Sequence, residues 1–223
     1  MKQLELIELV QQHHPGMGHT EIRKGLNRAQ NDYCARTELI KETYVQNSIA
    51  GQRYYNIDEN ILKILSVSIN DVNIPRLIGK PVIDDDEFDG ASGIGAPSSS
   101  SNERYWYMDS NRLAIVEKVN NAVTRDGKIS HYQSMSEAKE MRLYTISQGT
   151  DFTDSLTQDS DLPPQFREGL AYKVISDNYL RPETLNGELS QLFTLKYMDF
   201  VKEGKKFARS NYMQTGMIAP QDF

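Results

Sequence analysis

The apolar residues of this chain change their spacing twice, and that switch limits the fold more than any other feature. Up to Thr37 they recur every three or four residues, between about residues 42 and 150 they alternate, and after Asp161 the helical spacing returns. A period near 3.6 builds a helix with one apolar face, and a period of two builds a strand with one. The chain is therefore expected to be α+β: a helical bundle from N- and C-terminal helices, with an inserted antiparallel β-domain. The expected limits are residues 1–41 and 161–210 for the helical body, 42–160 for the β-domain and 211–223 for an extended C-terminal tail.

In the first helix Leu6, Ile7, Leu9 and Val10 form a stripe that ends at "HHPGMGH", where Pro15, Gly16 and Gly18 stop it. The next helix takes Thr20 as N-cap. It buries Ile22, Leu26, Ala29 and Tyr33, leaves Arg23, Asn27 and Gln30 in water, and places Gly25 for close helix packing. Late in the chain, "SDLPPQFREGL" signals a helix start, with Phe166, Leu170, Val174 and Ile175 on one face. From Glu183 to about Phe207, Leu185, Leu189, Leu192, Phe193, Phe200 and Val201 keep helical spacing. Lys202, Lys205, Lys206 and Arg209 then complement the negative end of the helix dipole.

Between these parts, the stretch from Tyr44 to Asp71 reads as a β-hairpin turning on Ala50-Gly51-Gln52. Thr43, Val45 and Ile49 share one parity in its first arm, and Leu65, Val67 and Ile69 share one in its later arm, which is expected to be the core of the β-domain. Asn70-Asp71, Asp109-Ser110-Asn111 and "RDGK" (Arg125 to Lys128) read as further turns, and "EMRLYTIS" as the last strand. The acid-, Gly- and Ser-rich run from Asp84 to Glu103 is expected to be a mobile loop.

Composition removes several function classes. With 31 acidic and 25 basic side chains the net charge is −6, which does not suit a protein whose whole surface grips nucleic acid. The single cysteine, Cys34, cannot form an internal disulfide, and no run of membrane-spanning length occurs, so synthesis in a reducing cytoplasm is expected. A calcium loop fails because aligning Asp85, Glu87, Asp89 and Gly90 to it puts Ala96 where a bidentate Glu is needed. "GASGIG" lacks the Lys-Ser/Thr of a phosphate loop. Two alternatives keep a chemical basis. His13 and His14 with Asp84 to Glu87 could form a metal-dependent enzyme centre, and Trp106, between Tyr105 and Tyr107, could serve a carbohydrate- or ligand-binding sheet. Neither supplies a convergent set of groups, so no catalytic residue, metal or cofactor is assigned.

The order of elements carries more than any one residue. The helix ending in "LNRAQNDYCART", the segment "AGQRYYNIDENILKILSVSIND", the hairpin "YWYMDSNRLAIV" and the helix opening "DLPPQFREGLAYKVISDNYL" together resemble the adaptor, or head-to-tail connector, proteins of tailed bacteriophages, over about residues 4 to 200. The resemblance implies a structural, non-enzymatic virion protein, made in the bacterial host cytoplasm and placed in the neck. There it would form a ring, usually of twelve copies, beneath the portal protein. It would continue the channel for double-stranded DNA without reading its sequence, and meet the tail or a second neck ring below. The last residues show no period yet carry Tyr212, Met213, Met217, Ile218 and Phe223. C-terminal extensions in such proteins commonly dock onto the portal, and these five side chains are the expected anchors.

Overall fold

The computed structural model describes residues 1–78, 103–123 and 129–213. Among these the chain is mixed α+β, with four α-helices and two antiparallel sheets. It divides into two compact units, Met1–Lys41 with Ile146–Phe223, and Glu42–Thr145.

In the first unit α1 spans Gln3–His13 and α2 spans His19–Thr37. The Glu5 carboxylate accepts the Lys2 backbone N–H at 3.0 Å, satisfying a donor that the first turn leaves free. The α2 helix begins one residue before the expected Thr20 cap and closes at Glu38, which adopts φ 53° and donates its N–H to the Cys34 carbonyl at 2.9 Å. A 3-10 turn, Pro164–Phe166, leads into α3, Arg167–Asn178, and α4 runs Gly187–Met213. The Asn186 side chain caps α4 by accepting the Leu189 N–H at 3.1 Å. Helix α3 packs on α1, α2 and α4. Its buried residues, including Leu170, Ala171, Val174 and Ile175, join Leu6, Ile7, Val10, Ile22, Leu26, Tyr33 and Val201 in one core. Each aliphatic side chain fully buried there contributes roughly 1.5–3 kcal/mol. Gly25 sits where α2 meets α3: a Cβ would lie 3.1 Å from the Val174 side chain.

Three expectations for this unit change. Gln30, expected in water, is completely buried. Its amide donates to the Thr150 carbonyl at 2.8 Å and accepts the Ser160 hydroxyl at 2.6 Å, so both ends are satisfied without water. Next to it Asn27 exchanges hydrogen bonds with the Phe152 backbone, and Arg23 pairs with Asp154. That polar face of α2 is a rail for the stretch from Gly149 to Asp161, which is why residues 146–160 belong with the helices and the β-unit ends at Thr145. The last helix also begins later and ends later than its apolar spacing indicates. It takes in Tyr212 and Met213, which were expected in the tail.

The second unit contains β1 (Lys41–Asn47), β2 (Tyr54–Asn56), β3 (Ile61–Ile69), β4 (Val72–Ile74), β5 (Arg104–Asp109), β6 (Arg112–Val123), β7 (Ile129–Gln133) and β8 (Glu140–Ser147). One sheet has the order β1-β8-β3-β4; the other has β2-β6-β5, with β7 also pairing with β6. The turns at Asn70-Asp71 and Ser110 are where the sequence puts them. Asn70, Asp71 and Ser110 take positive φ, and β3–β4 and β5–β6 are tight hairpins. The "RDGK" turn lies outside the described residues.

The expected Tyr44–Asp71 hairpin does not form. Gly51 does turn the chain, with φ 79°, but β2 joins the other sheet by pairing with β6, and β8 lies between β1 and β3, so the two arms share a sheet without pairing. The core register also differs from expectation. Val67 and Ile69 are buried, but Leu65 is 39% exposed and Ile64 takes its place. Ile64 and Val67 share one core cluster although they are three residues apart, a spacing that strict alternation cannot give. Thr43 and Val45 of β1, an edge strand, and Ile49 beyond it are exposed, and the partly covered side chains of β1 are Tyr44 and Gln46.

Candidate functional site

Among the described residues, His13, His14 and Cys34 are engaged in packing and hydrogen bonding. His14 is buried, with Nε2 3.3 Å from the Ile175 carbonyl. Burial lowers its pKa, and the neighbouring His13 and Arg181 act in the same direction against the Ile175 hydrogen bond. The His13 ring stands edge-on to Phe193, with centroids 4.8 Å apart. Both imidazoles thus fasten the α1–α2 corner to α3 and α4. Cys34 is buried, and burial pushes its thiol up to about 11, so it is a poor nucleophile. Among the described residues no group of three or more His, Cys, Asp and Glu is placed to hold a metal ion. The acids from Asp84 to Glu87 lie outside those residues. Nor is any described helix long and apolar enough to cross a membrane.

Trp106 does not form a platform. It is 2% exposed, lies in the core shared by the two sheets, and has the Arg76 guanidinium 5.1 Å from its ring centroid. The alternation of "RYWYM" points Trp106 inward, while Tyr105 and Tyr107 lie on the other face of β5.

The most strongly held charge in the β-unit is Glu117 on β6. It lies opposite Arg104 of β5, accepts the Arg104 Nε at 2.9 Å, and takes both the backbone N–H (3.1 Å) and the hydroxyl (2.9 Å) of Ser136. Burial acts to raise its pKa, but Arg104 and the two Ser136 donors outweigh it, and the carboxyl stays below its ordinary value. This clamp ties the segment after β7 to the sheet. It is shielded on both sides, the paired side chains being only 13% and 9% exposed.

What remains open to a partner is surface. The Ser147 N–H donates to the Ile40 carbonyl, and the Ser48 N–H to the Lys139 carbonyl, which sets Thr43 opposite Tyr144 and Val45 opposite Arg142. These four side chains therefore share the solvent face of the β1/β8 pair. Val45 is 60% and Tyr144 40% exposed. Arg142 is held by Glu140 and Asp71, giving two apolar positions beside a fixed ion network. Such a face presents its side chains outward from the β1/β8 pair. It offers flat apolar area with an oriented charged rim, and beside it the edge of β1, which suits contact with another folded surface. Sequence reading missed this face because it read the parity of Thr43, Val45 and Ile49 without knowing the strand that pairs with β1. The available signal was in "EMRLYTIS", where Glu140, Arg142 and Tyr144 alternate with the buried Met141, Leu143 and Thr145.

Of the expected portal anchors, Tyr212 and Met213 lie in the last turn of α4, and Met217, Ile218 and Phe223 lie outside the described residues. No protein-family model matches the chain, and no curated protein matches it.

Proposed function

We propose that this protein is an adaptor subunit of a tailed-phage neck, a structural protein that performs no reaction. In this reading it is a helical bundle from both chain ends with an inserted antiparallel β-domain. Twelve copies form a ring below the portal protein, and double-stranded DNA passes through without sequence-specific contact. Synthesis is in the bacterial host cytoplasm, and the protein's final location is the virion neck.

The observation that carries the reading is the division of the chain. Met1–Lys41 and Ile146–Phe223 make one unit with a continuous core, while Glu42–Thr145 makes another that displays its own solvent face. A rigid helical body can serve as the wall of a channel, and a sheet face with Val45 and Tyr144 exposed can meet the tail or the next ring. The segment that carries much of the resemblance, "DLPPQFREGL", supplies the 3-10 turn and the start of α3, the helix on which the other three pack.

Mixing the protein with purified portal and imaging by negative stain tests this directly: rings coaxial with the portal are expected. Portal particles unchanged at saturating protein concentration would remove the adaptor reading. The C-terminal anchors are tested separately. Deleting Gln214 to Phe223 is expected to leave melting unchanged and weaken portal attachment, whereas parental attachment would remove their role.

A further inference from the structure

The outer face of α4 has a pattern that the core does not use. Phe193, Tyr197, Val201 and Gly204 of α4 face inward. At about 100° per residue Leu195 lies about 160° round the helix from both Phe193 and Tyr197. It is 66% exposed, and Leu192 and Met198, one turn to either side, are 46% and 37% exposed. Glu188 lies on the same stripe toward the helix start and Lys202 toward its end, both exposed. Single exposed leucines are ordinary on protein surfaces, but Leu195, with Leu192 and Met198 about 60° to either side, Asp199 about 40° to one side and opposite charges at the two ends of its line, makes a defined strip.

We propose that α4 is a self-recognition helix: two copies of this chain pair through antiparallel α4 helices about a two-fold axis at Leu195. In that register Leu195 meets its own copy and Glu188 meets Lys202, the latter contact made twice, while Leu192 and Met198, about 60° to either side of the Leu195 line, flank the seam. Charge selects this arrangement over its neighbours. Sliding one helix by a turn in one direction sets Glu188 against Asp199, and sliding it the other way sets Leu195 against Asp199. A parallel pair sets Glu188 against Glu188 and Lys202 against Lys202. Lys202 already touches Asp199 at 3.0 Å, but the two side chains are 72% and 69% exposed, so this contact is weak and leaves the ammonium accessible to a second carboxylate. An antiparallel crossing near 20° keeps such a stripe in contact over several turns.

The strip is small beside the roughly 20–30 residues per side of a standard interface, so the pair belongs in the micromolar range or weaker. A two-fold contact closes on itself and cannot propagate into a ring, so this association belongs to free subunits and does not rest on the adaptor reading.

Sedimentation velocity on the full chain between about 1 µM and about 1 mM tests it. The weight-average mass is expected to rise toward two chains and no further. Leu195→Asp should raise the dimer dissociation constant at least tenfold or so while leaving helix content and melting unchanged, since the side chain is exposed. Glu188→Lys and Lys202→Glu should each weaken pairing about threefold to tenfold, and the double exchange should restore it. The proposal is overturned by a single chain mass throughout, by growth beyond two chains, by association insensitive to Leu195→Asp, or by a double exchange as weak as the worse single variant.

Discussion

In the helical unit one core cluster draws on all four helices, from Leu6 in α1 to Val201 in α4, whereas the apolar side chains of the β-unit divide into two clusters on opposite faces of β5 and β6. The helical core is pinned by polar contacts that span much of the chain. Tyr197 donates to Asp32 at 2.7 Å, Tyr33 to the Phe200 carbonyl at 3.1 Å, and Gln30 to Thr150 at 2.8 Å. In the β-unit the most buried ionic anchor is the clamp of Glu117 with Arg104 and Ser136, beside the contacts of Ser48 with the Lys139 backbone and of Arg142 with Asp71. A single core fed by many elements spreads its energy, while a core thinned over two faces concentrates it in a few side chains. The units should therefore respond differently to damage. The probes separate naturally: Trp106, the only tryptophan, reports on the β-unit, and far-ultraviolet helix signal reports on the helices.

The largest expected effect is from Val67→Asp. Val67 is fully buried in the cluster that both sheets share, and the new carboxylate would have no partner there. The cost should be about 4 kcal/mol or more. Trp106 fluorescence should show the β-unit unfolded or melting far earlier, while the helix signal persists to near the parental temperature. Simultaneous loss of both signals would show that the two cores stand or fall together and would break the comparison.

Next is the clamp. Glu117→Gln leaves Arg104, whose side chain is 13% exposed, beside a neutral amide and should cost about 3 kcal/mol at pH 7. Its pH dependence is directional. The folded Glu117 pKa lies below the unfolded one, so the clamp contributes fully above the unfolded value of about 4.3 and is lost as pH falls through the folded value. Parental Trp106 melting should drop on acidification below about pH 4 more steeply than that of Glu117→Gln. Parallel curves would show that the carboxylate is not the group that matters.

These residues also indicate how far the sequence could be read. The helical faces were legible because each of α1, α2 and α3 buries one contiguous stripe, and Ile22, Leu26, Ala29 and Tyr33 need no partner to be recognised. Gln30 was not legible. Its burial depends on Thr150 and Ser160, more than a hundred residues away, and an amide on a polar face looks wet until that segment arrives. In the β-unit the local turns at Asn70-Asp71 and Ser110 could be read, since positive φ favours specific residues. The pairing of β1 with β8 could not, because strand partners are chosen by long-range packing that alternation does not encode. The open face of Val45 and Tyr144 was lost for the same reason: on an edge strand an apolar parity does not say which side is covered.

Tyr197→Phe tests the other half of the comparison. It keeps the ring but removes the hydrogen bond to Asp32, which also carries Arg36. A hydrogen bond to a charged acceptor contributes about 1.5–3 kcal/mol, so the helix signal should melt several degrees earlier with Trp106 fluorescence unmoved. If Trp106 shifts equally, the helical anchors support both units.

The smallest effect is expected two residues from the largest. Leu65 and Val67 share a parity on β3, and a regular strand would bury both or expose both. Their exposures are 39% and 0%, with Ile64 at 7% taking the inward place. An aspartate at position 65 keeps its solvation, so Leu65→Asp loses only part of one side chain's packing and some strand propensity, below about 1 kcal/mol. The pair of variants is thus a register measurement made by stability alone. Val67→Asp should abolish the native Trp106 signal, and Leu65→Asp should shift its midpoint by a few degrees at most. Equal damage from both would mean that the strand alternates regularly with both residues inside, and the shift of burial between Ile64 and Val67 would have to be abandoned.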